Sequence, residues 1–258
     1  MTSREILNRA RELLSHNNIE DAPLEAELLL RYTLNISRTT LLAEPDIPLT
    51  KAQETDFWNK IGRRIKGIPS AYITGVREFY GLEFHVDDSV LIPRPETELI
   101  VEKTIEISRG YNSPLIADIG TGCGNIAISL AVNLPNAHIY ATDISQRALC
   151  VARRNCERHN VQARVRLFVG DLLELLQEPV DIIVANLPYV RTADLPSINT
   201  SGFEPRLALD GGEDGLDIIR RLCGQVNGKL KTGGTLLLEI GIGQKELLVN
   251  YLLSLFPE

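Results

Sequence analysis

The sequence predicts an α/β protein: a doubly wound parallel sheet of strand order 3-2-1-4-5, preceded by a small helical domain. Three observations carry this prediction. Apolar strands alternate with amphipathic helices from residue 115 onward. The strand Asp181-Ile182-Ile183-Val184-Ala185 lacks polar alternation, which marks a strand buried on both faces. A glycine-rich turn, Gly120-Thr121-Gly122-Cys123-Gly124, joins one strand to the helix after it.

The 258 residues suit one large domain, or a normal domain beside a small one. An apolar content of 44% supports a sizeable core. A formal charge of −7 argues against a general nucleic-acid binder. Arg63-Arg64-Ile65-Lys66 is a local basic run, best read as the solvated end of a helix. No apolar stretch approaches the roughly 20 residues that span a bilayer. The N-terminus opens an amphipathic helix and lacks the uninterrupted apolar segment of a secretory signal. Cys123, Cys150, Cys156 and Cys223 have neither disulfide-framework nor zinc spacing. Cys150, Cys156 and His159 fall in one predicted helix, where residues six apart lie on different faces. They read as reduced thiols of a cytoplasmic protein.

Residues 1–75 read as helical, with Ile6, Ala10, Leu13 and Leu14 on one stripe and Leu24, Ala26 and Leu28–Leu30 on a second. A third helix runs from Thr50, as N-cap, to Lys66, and is stopped by Gly67 and Pro69. This segment holds no catalytic constellation and suits docking or buttressing. Residues 76–92 alternate around Gly81 as a bridging hairpin. Residues 93–258 form the main domain. They open on Pro93-Arg94-Pro95-Glu96-Thr97-Glu98, where Pro95 and the two carboxylates suit a helix N-terminus. A cap does not explain Arg94, which is a candidate contact to cofactor or substrate.

Strand 115–119, the glycine turn, helix 126–133 and strand 138–142 ending in Asp143 follow in order. Asp143 lies 19 residues past Gly124, close to the roughly 20 at which a carboxylate grips ribose hydroxyls. The spacing Asp118-x-Gly120-x-Gly122-x-Gly124 is not that of a pyrophosphate binder. Asp118 would set a negative charge where a diphosphate sits, so a cationic ligand such as S-adenosylmethionine suits the loop better. Asp118 tying down the loop backbone is compatible with the same ligand. A helix over Ser145–His159 leads to strand 165–169 and Asp171, which either receives an amino group such as adenine's or caps the next helix. The fourth strand ends at Asn186-Leu187-Pro188-Tyr189. Asn186 and the carbonyl of Leu187 can accept the two hydrogens of an NH2 group, with Tyr189 as a flat face beside it. In the order 3-2-1-4-5 this run faces the glycine loop across the switch-point crevice. Residues 191–215 form a long aperiodic loop of the kind that serves as a lid or binding loop. Helix 216–230, strand 235–240 and helix 244–255 complete the chain.

Four runs together resemble the peptide chain release factor glutamine methyltransferases. They are Leu91–Glu98, Asp118–Asn125, Asn186–Tyr189 and Glu204-Pro205-Arg206-x-Ala208-Leu209. The Pro-Arg-Pro-Glu-Thr-Glu run is the most specific of them. The resemblance implies a Rossmann-like class I methyltransferase sheet and S-adenosylmethionine as methyl donor. It implies N5-methylation of the glutamine in the Gly-Gly-Gln loop of release factors 1 and 2, by a cytoplasmic monomer with no nucleic-acid or membrane partner. On this reading Asp118, Gly120, Thr121, Gly122, Cys123, Gly124, Asp143, Asp171 and Asn186 serve the cofactor. Asn186, Leu187, Pro188 and Tyr189 clasp the substrate amide, with Arg94 beside them.

Two departures stand out. The family tetrad is Asn-Pro-Pro-Tyr, whereas Leu187 stands in second place here and removes one ring constraint on the loop. Family members also continue into an antiparallel strand pair. Here the last pair is expected to be absent, as in a shortened gene product, leaving the fifth strand as an unprotected edge. The tetrad could equally grip an exocyclic amine, which makes an N6-adenine methyltransferase the alternative reading. A silent binding module and a nicotinamide-dependent oxidoreductase fit the motifs less well.

Overall fold

The computed structural model describes residues 1–198 and 202–256. The chain divides into two compact units, Met1–Gly75 and Val76–Glu258.

The first unit holds five helices: α1 (Ser3–His16), α2 (Ala22–Leu34), α3 (Arg38–Ala43), α4 (Lys51–Ile65) and α5 (Ser70–Thr74). Capping boxes start α1 and α4, where Thr2 pairs with Glu5 and Thr50 with Gln53. The predicted stripes converge on one core of Ile6, Ala10, Leu14, Leu29, Leu30, Phe57 and Ile61. The short helices α3 and α5 lie outside the sequence expectation, being too brief for a 3.6-residue period to register. Arg64 is less solvated than expected, since its guanidinium pairs with Glu25 at 2.9 Å.

The second unit begins with a hairpin of β1 (Val76–Phe79) and β2 (Leu82–His85). Tyr80 and Gly81 both take positive φ, as a two-residue hairpin turn requires. The unit then runs through α6 (Glu98–Ser108), β3 (Leu115–Ile119), α7 (Asn125–Asn133), β4 (His138–Asp143), α8 (Gln146–Arg158), β5 (Val165–Val169) and β6 (Val180–Ala185). It closes with α9 (Leu195–Ile198), α10 (Asp217–Gln225), β7 (Leu230–Leu238) and α11 (Lys245–Leu255).

The five main strands are parallel in the order β5-β4-β3-β6-β7, which is the predicted 3-2-1-4-5. Alternate residues of β3 and β6 feed opposite cores. Ile116, Ile182 and Val184 join one, while Ala117, Ile119, Ile183 and Ala185 join the other. Burial of all six β6 residues accounts for the unbroken apolar run that predicted this layering.

Three details differ from the sequence reading. Helix α10 ends at Gln225 rather than 230, because Gly228 at φ +75 turns the chain into β7. Strand β7 starts at Leu230 and is irregular where Gly233 and Gly234 slip its register against β6. The 191–215 segment is not structureless, since it contains α9 and single turns at Thr192–Asp194 and Arg206–Ala208. Residues 199–201 of that expected loop lie outside the described residues. Among the described residues no helix is long and apolar enough to cross a membrane.

Candidate active site

The carboxyl ends of β3 and β6 lie side by side, with Ile119 paired to Ala185. The next residues, Gly120 and Asn186, therefore open on a common cavity of about 310 Å³, within the range of small-molecule sites. Its wall includes Arg94, Thr97, Gly120, Thr121, Gly122 and Cys123. It also includes Asp143, Asp171, Asn186, Leu187 and Pro188. Residues from both glycine loop and tetrad thus meet at the switch point where open α/β sheets bind ligands.

The loop is shaped by backbone bonds. The N–H groups of Gly120 and Thr121 both donate to Thr142 O at 2.9 Å, turning the chain off β3 over the end of β4. Gly122 N donates to Asp143 Oδ2 at 2.8 Å, and Ser145 N to Asp143 Oδ1 at 2.8 Å. Each carboxylate oxygen of Asp143 keeps lone-pair capacity for a further donor. Burial raises its pKa. Gly122 sits at φ +56 with open space where a Cβ would be, so a ligand can approach the backbone there.

Asp118 and Gly124 do not reach the cavity wall. Asp118 is fully buried beneath the loop, and its Oδ2 accepts from the Thr121 hydroxyl (2.6 Å) and Ala127 N (3.1 Å). It does tie down the loop. Its Oδ1 nonetheless has no partner among the described residues, and burial, with nearby Asp143 adding to it, pushes its pKa up to about 7. Gly124 is a packing glycine: a Cβ would sit 2.9 Å from Ile128 Cδ1 and 3.3 Å from the Ala152 methyl. Asp171 does not cap a helix with its side chain. It pairs with Arg221, which also lines the cavity.

Within the tetrad, Asn186 Nδ2 donates to Thr97 Oγ1 at 2.9 Å, while its Oδ1 accepts from no described residue. Leu187 serves in more than its carbonyl. Its side chain is buried, and its Cδ2 stands 2.8 Å from where a Gly120 Cβ would be. Removing that side chain as Leu187→Ala is expected to cost about 2–3 kcal/mol in denaturant unfolding. Tyr189 lies apart from the rest of the tetrad. Its ring packs with the core around β6 and β7, outside the cavity wall, and its hydroxyl donates to Glu239 Oε1 at 3.1 Å. Burial first, and Glu239 second, push its pKa up to about 12. Arg94 lines the cavity, but its guanidinium is held by Glu204 at 2.6 Å.

Family models match residues 5–75 as the PrmC N-terminal domain and residues 97–199 as the Methyltransferase small domain. The release factor glutamine methyltransferase of Moorella thermoacetica is 46% identical over 95% of this chain and 87% of its own. The chain belongs to the release factor glutamine methyltransferase family. The family's protein from Geobacter sulfurreducens is 42% identical over 95% of this chain and 86% of its own. A solved methyltransferase from Pyrococcus furiosus, at 21% identity, covers 75% of this chain and 87% of its own with a TM-score of 0.51, and shares the fold.

The cavity of this family member fits the expected S-adenosylmethionine. Asp118, buried behind Thr121 in the wall, favours a cationic amino-acid end by charge rather than by contact, Gly122 leaves the loop backbone approachable, and Asp143 retains acceptor capacity for hydroxyls. Several supporting residues carry no sequence signal of their own. Asn155, fully buried, donates through Nδ2 to Cys123 O (2.8 Å) and His85 O (3.0 Å), joining the glycine loop to β2. Gln244 Nε2 donates to Tyr189 O at 2.9 Å and to Asp214 O at 3.1 Å. Glu98, expected as a helix-dipole partner, accepts from Tyr80 N at 2.8 Å and so holds the hairpin turn.

Proposed function

We propose that this protein methylates N5 of the glutamine side chain in the Gly-Gly-Gln loop of release factors 1 and 2, in the cytoplasm, with S-adenosylmethionine as donor. The supporting observation is that Asn186 and Leu187 line one cavity with the glycine loop, while neither Asn186 Oδ1 nor the Leu187 carbonyl accepts a hydrogen bond from any described residue. When bound, S-adenosylmethionine supplies an electrophilic methyl group on sulfonium sulfur.

An amide nitrogen is a weak nucleophile because its lone pair is delocalised into the carbonyl. Asn186 Oδ1 accepts one of its hydrogens and the Leu187 carbonyl the other, which aims the lone pair into the cavity. The same two acceptors stabilise positive charge growing on that nitrogen. Alignment of two bound reactants supplies up to roughly 7–11 kcal/mol of barrier reduction. Once methylated, the nitrogen is acidic enough to release its proton to water. Among the described residues, none that lines the cavity is His or Lys. Cys123 lines the cavity, but burial holds its thiol protonated, with a pKa of about 12. The first helical unit is read as the docking element for the protein substrate.

The deciding experiment incubates the enzyme with labelled cofactor and either release factor or RNA, since an adenine amine offers the same pair of hydrogens. Mass spectrometry is expected to place one methyl group on the glutamine of the Gly-Gly-Gln peptide. Label in RNA and none in release factor overturns the reading.

The buried Asp118 yields a pH prediction. Below about pH 7 it is protonated in the free protein, whereas a cationic ligand favours its ionised form. Ligand binding therefore releases a proton, and affinity should strengthen as pH rises from about 5.5 to 7, by at most about tenfold per unit. Above about pH 8 the ligand's own amino group deprotonates and the gain stops. Titration calorimetry across this window checks the slope, which Asp118→Asn should flatten.

A further inference from the structure

The Thr97 hydroxyl bonds across the fold, at the junction where the turn Pro95–Thr97 runs into α6. Thr97 occupies the N-cap position of α6, yet its side chain accepts no hydrogen bond from the α6 backbone. It is 1% exposed and lines the cavity. Its Oγ1 instead receives Asn186 Nδ2, from a residue 89 positions away, at 2.9 Å. A threonine hydroxyl usually bonds backbone close by in sequence; this one bonds a side chain of the site instead.

We infer that Thr97 is a positioning residue: by holding Asn186 Nδ2 in the wall, it keeps Oδ1 turned toward the substrate amide. This rests on the proposed role of Asn186 as an acceptor. A carboxamide carries a donor edge and an acceptor edge of nearly equal size. The substrate NH2 has only hydrogens to offer to the clasp, so a turned carboxamide would set donors against donors. Asn186 can present oxygen reliably only while its nitrogen has a partner elsewhere, and Thr97 is the partner the fold supplies. The fragment Pro95–Thr97, a single helical turn, fixes where that hydroxyl stands. The Pro-Arg-Pro-Glu-Thr-Glu run thereby reaches the chemistry through its threonine as well as through Arg94.

The test compares Thr97→Val, an isostere without the acceptor, with Thr97→Ser, which keeps it. Both are assayed on release factor with cofactor binding measured separately by calorimetry. The valine variant is expected to lose about ten- to a hundredfold in kcat, the effect of one lost buried polar partner, with cofactor affinity unchanged. The serine variant is expected to stay within about threefold of the parent, the hydroxyl being retained. Thr97→Ala repeats the measurement with a smaller side chain if the valine variant does not fold.

A second readout separates orientation from simple structural support. In an Asn186→Asp background both carboxylate oxygens are acceptors, so turning the group changes nothing. There the hydroxyl would donate to the carboxylate, so the Thr97→Val penalty is expected to shrink to the loss of that one bond; the same fold loss in both backgrounds overturns the inference. If Asn186→Asp has no measurable turnover, the valine–serine contrast decides alone. Full kcat in Thr97→Val with an inactive Asn186→Ala also overturns it, leaving the function intact. Full activity in Asn186→Ala would instead remove the reading on which it rests.

Discussion

Replacing Asn186 with alanine is expected to lower kcat on release factor by about 10²–10³-fold, the scale seen when one preorganised hydrogen-bonding group is removed from a reacting centre. Cofactor affinity should stay near that of the parent. The expectation follows from the division of labour at the two strand ends. The loop from Gly120 to Cys123 is shaped by Thr142, Asp143 and Asn155, none of which is bonded to the Asn186 side chain. Steady-state kinetics with release factor, beside calorimetry with cofactor alone, checks both halves. Retained turnover would end the proposed mechanism. Equal losses in turnover and cofactor affinity would move Asn186 from the substrate side of the cavity to the cofactor side.

Gly215→Ala is expected to do comparable damage by a different route. Gly215 sits at φ +79, where an added Cβ would run into the Tyr189 carbonyl oxygen and Gln244 Nε2. The left-handed conformation alone costs about 1–2 kcal/mol for an alanine, and the backbone collision brings the expected loss to about 2–4 kcal/mol. One of the two atoms struck is backbone, and the other, the Gln244 amide nitrogen, is itself tied to that carbonyl. Gln244 bonds that same carbonyl, and Gly211 N and Val190 N extend the bracing to the following residue through bonds of 2.8 and 3.0 Å. The tetrad is therefore expected to be displaced at its fourth position. Denaturant unfolding and turnover measure the two consequences. Gly228→Ala is the control, since its site at φ +75 has no atom within 4 Å and lies off the cavity wall, so only the conformational cost applies. Unchanged unfolding midpoint and turnover in Gly215→Ala would contradict the bracing.

Much of this architecture was legible in the amino acids because the signals are local. The unbroken apolar run of β6 announced burial on both faces, and the order of strands and helices implied the switch point. The glycine spacing with Asp118 pointed to a cationic ligand before any coordinates. What escaped was nonlocal. Thr97 lay inside a quoted run but looked like part of a helix start, because its partner is far along the chain. Gln244 and Asn155 sit in segments with no pattern to distinguish them, and their roles come only from which carbonyls the fold brings beside them. The setting of Tyr189 was hidden for a related reason. An aromatic ring after a turn can face either the cavity or the core, and here its hydroxyl bonds Glu239, just past the end of β7. The irregular start of β7 likewise depends on Gly234 lying over the Asp181 carbonyl, a contact invisible to periodicity.

The contact between Leu187 and Gly120 has a thermodynamic consequence. One ligand's loop and the other ligand's clasp meet through a single leucine methyl, so neither can settle without altering the space left for its neighbour. Whatever ordering the small molecule imposes on the first is then already in place when the protein substrate arrives, and by linkage the reverse holds to the same degree. Cofactor and protein substrate are therefore expected to bind with heterotropic coupling through one side chain, and calorimetry of each with and without the other checks it.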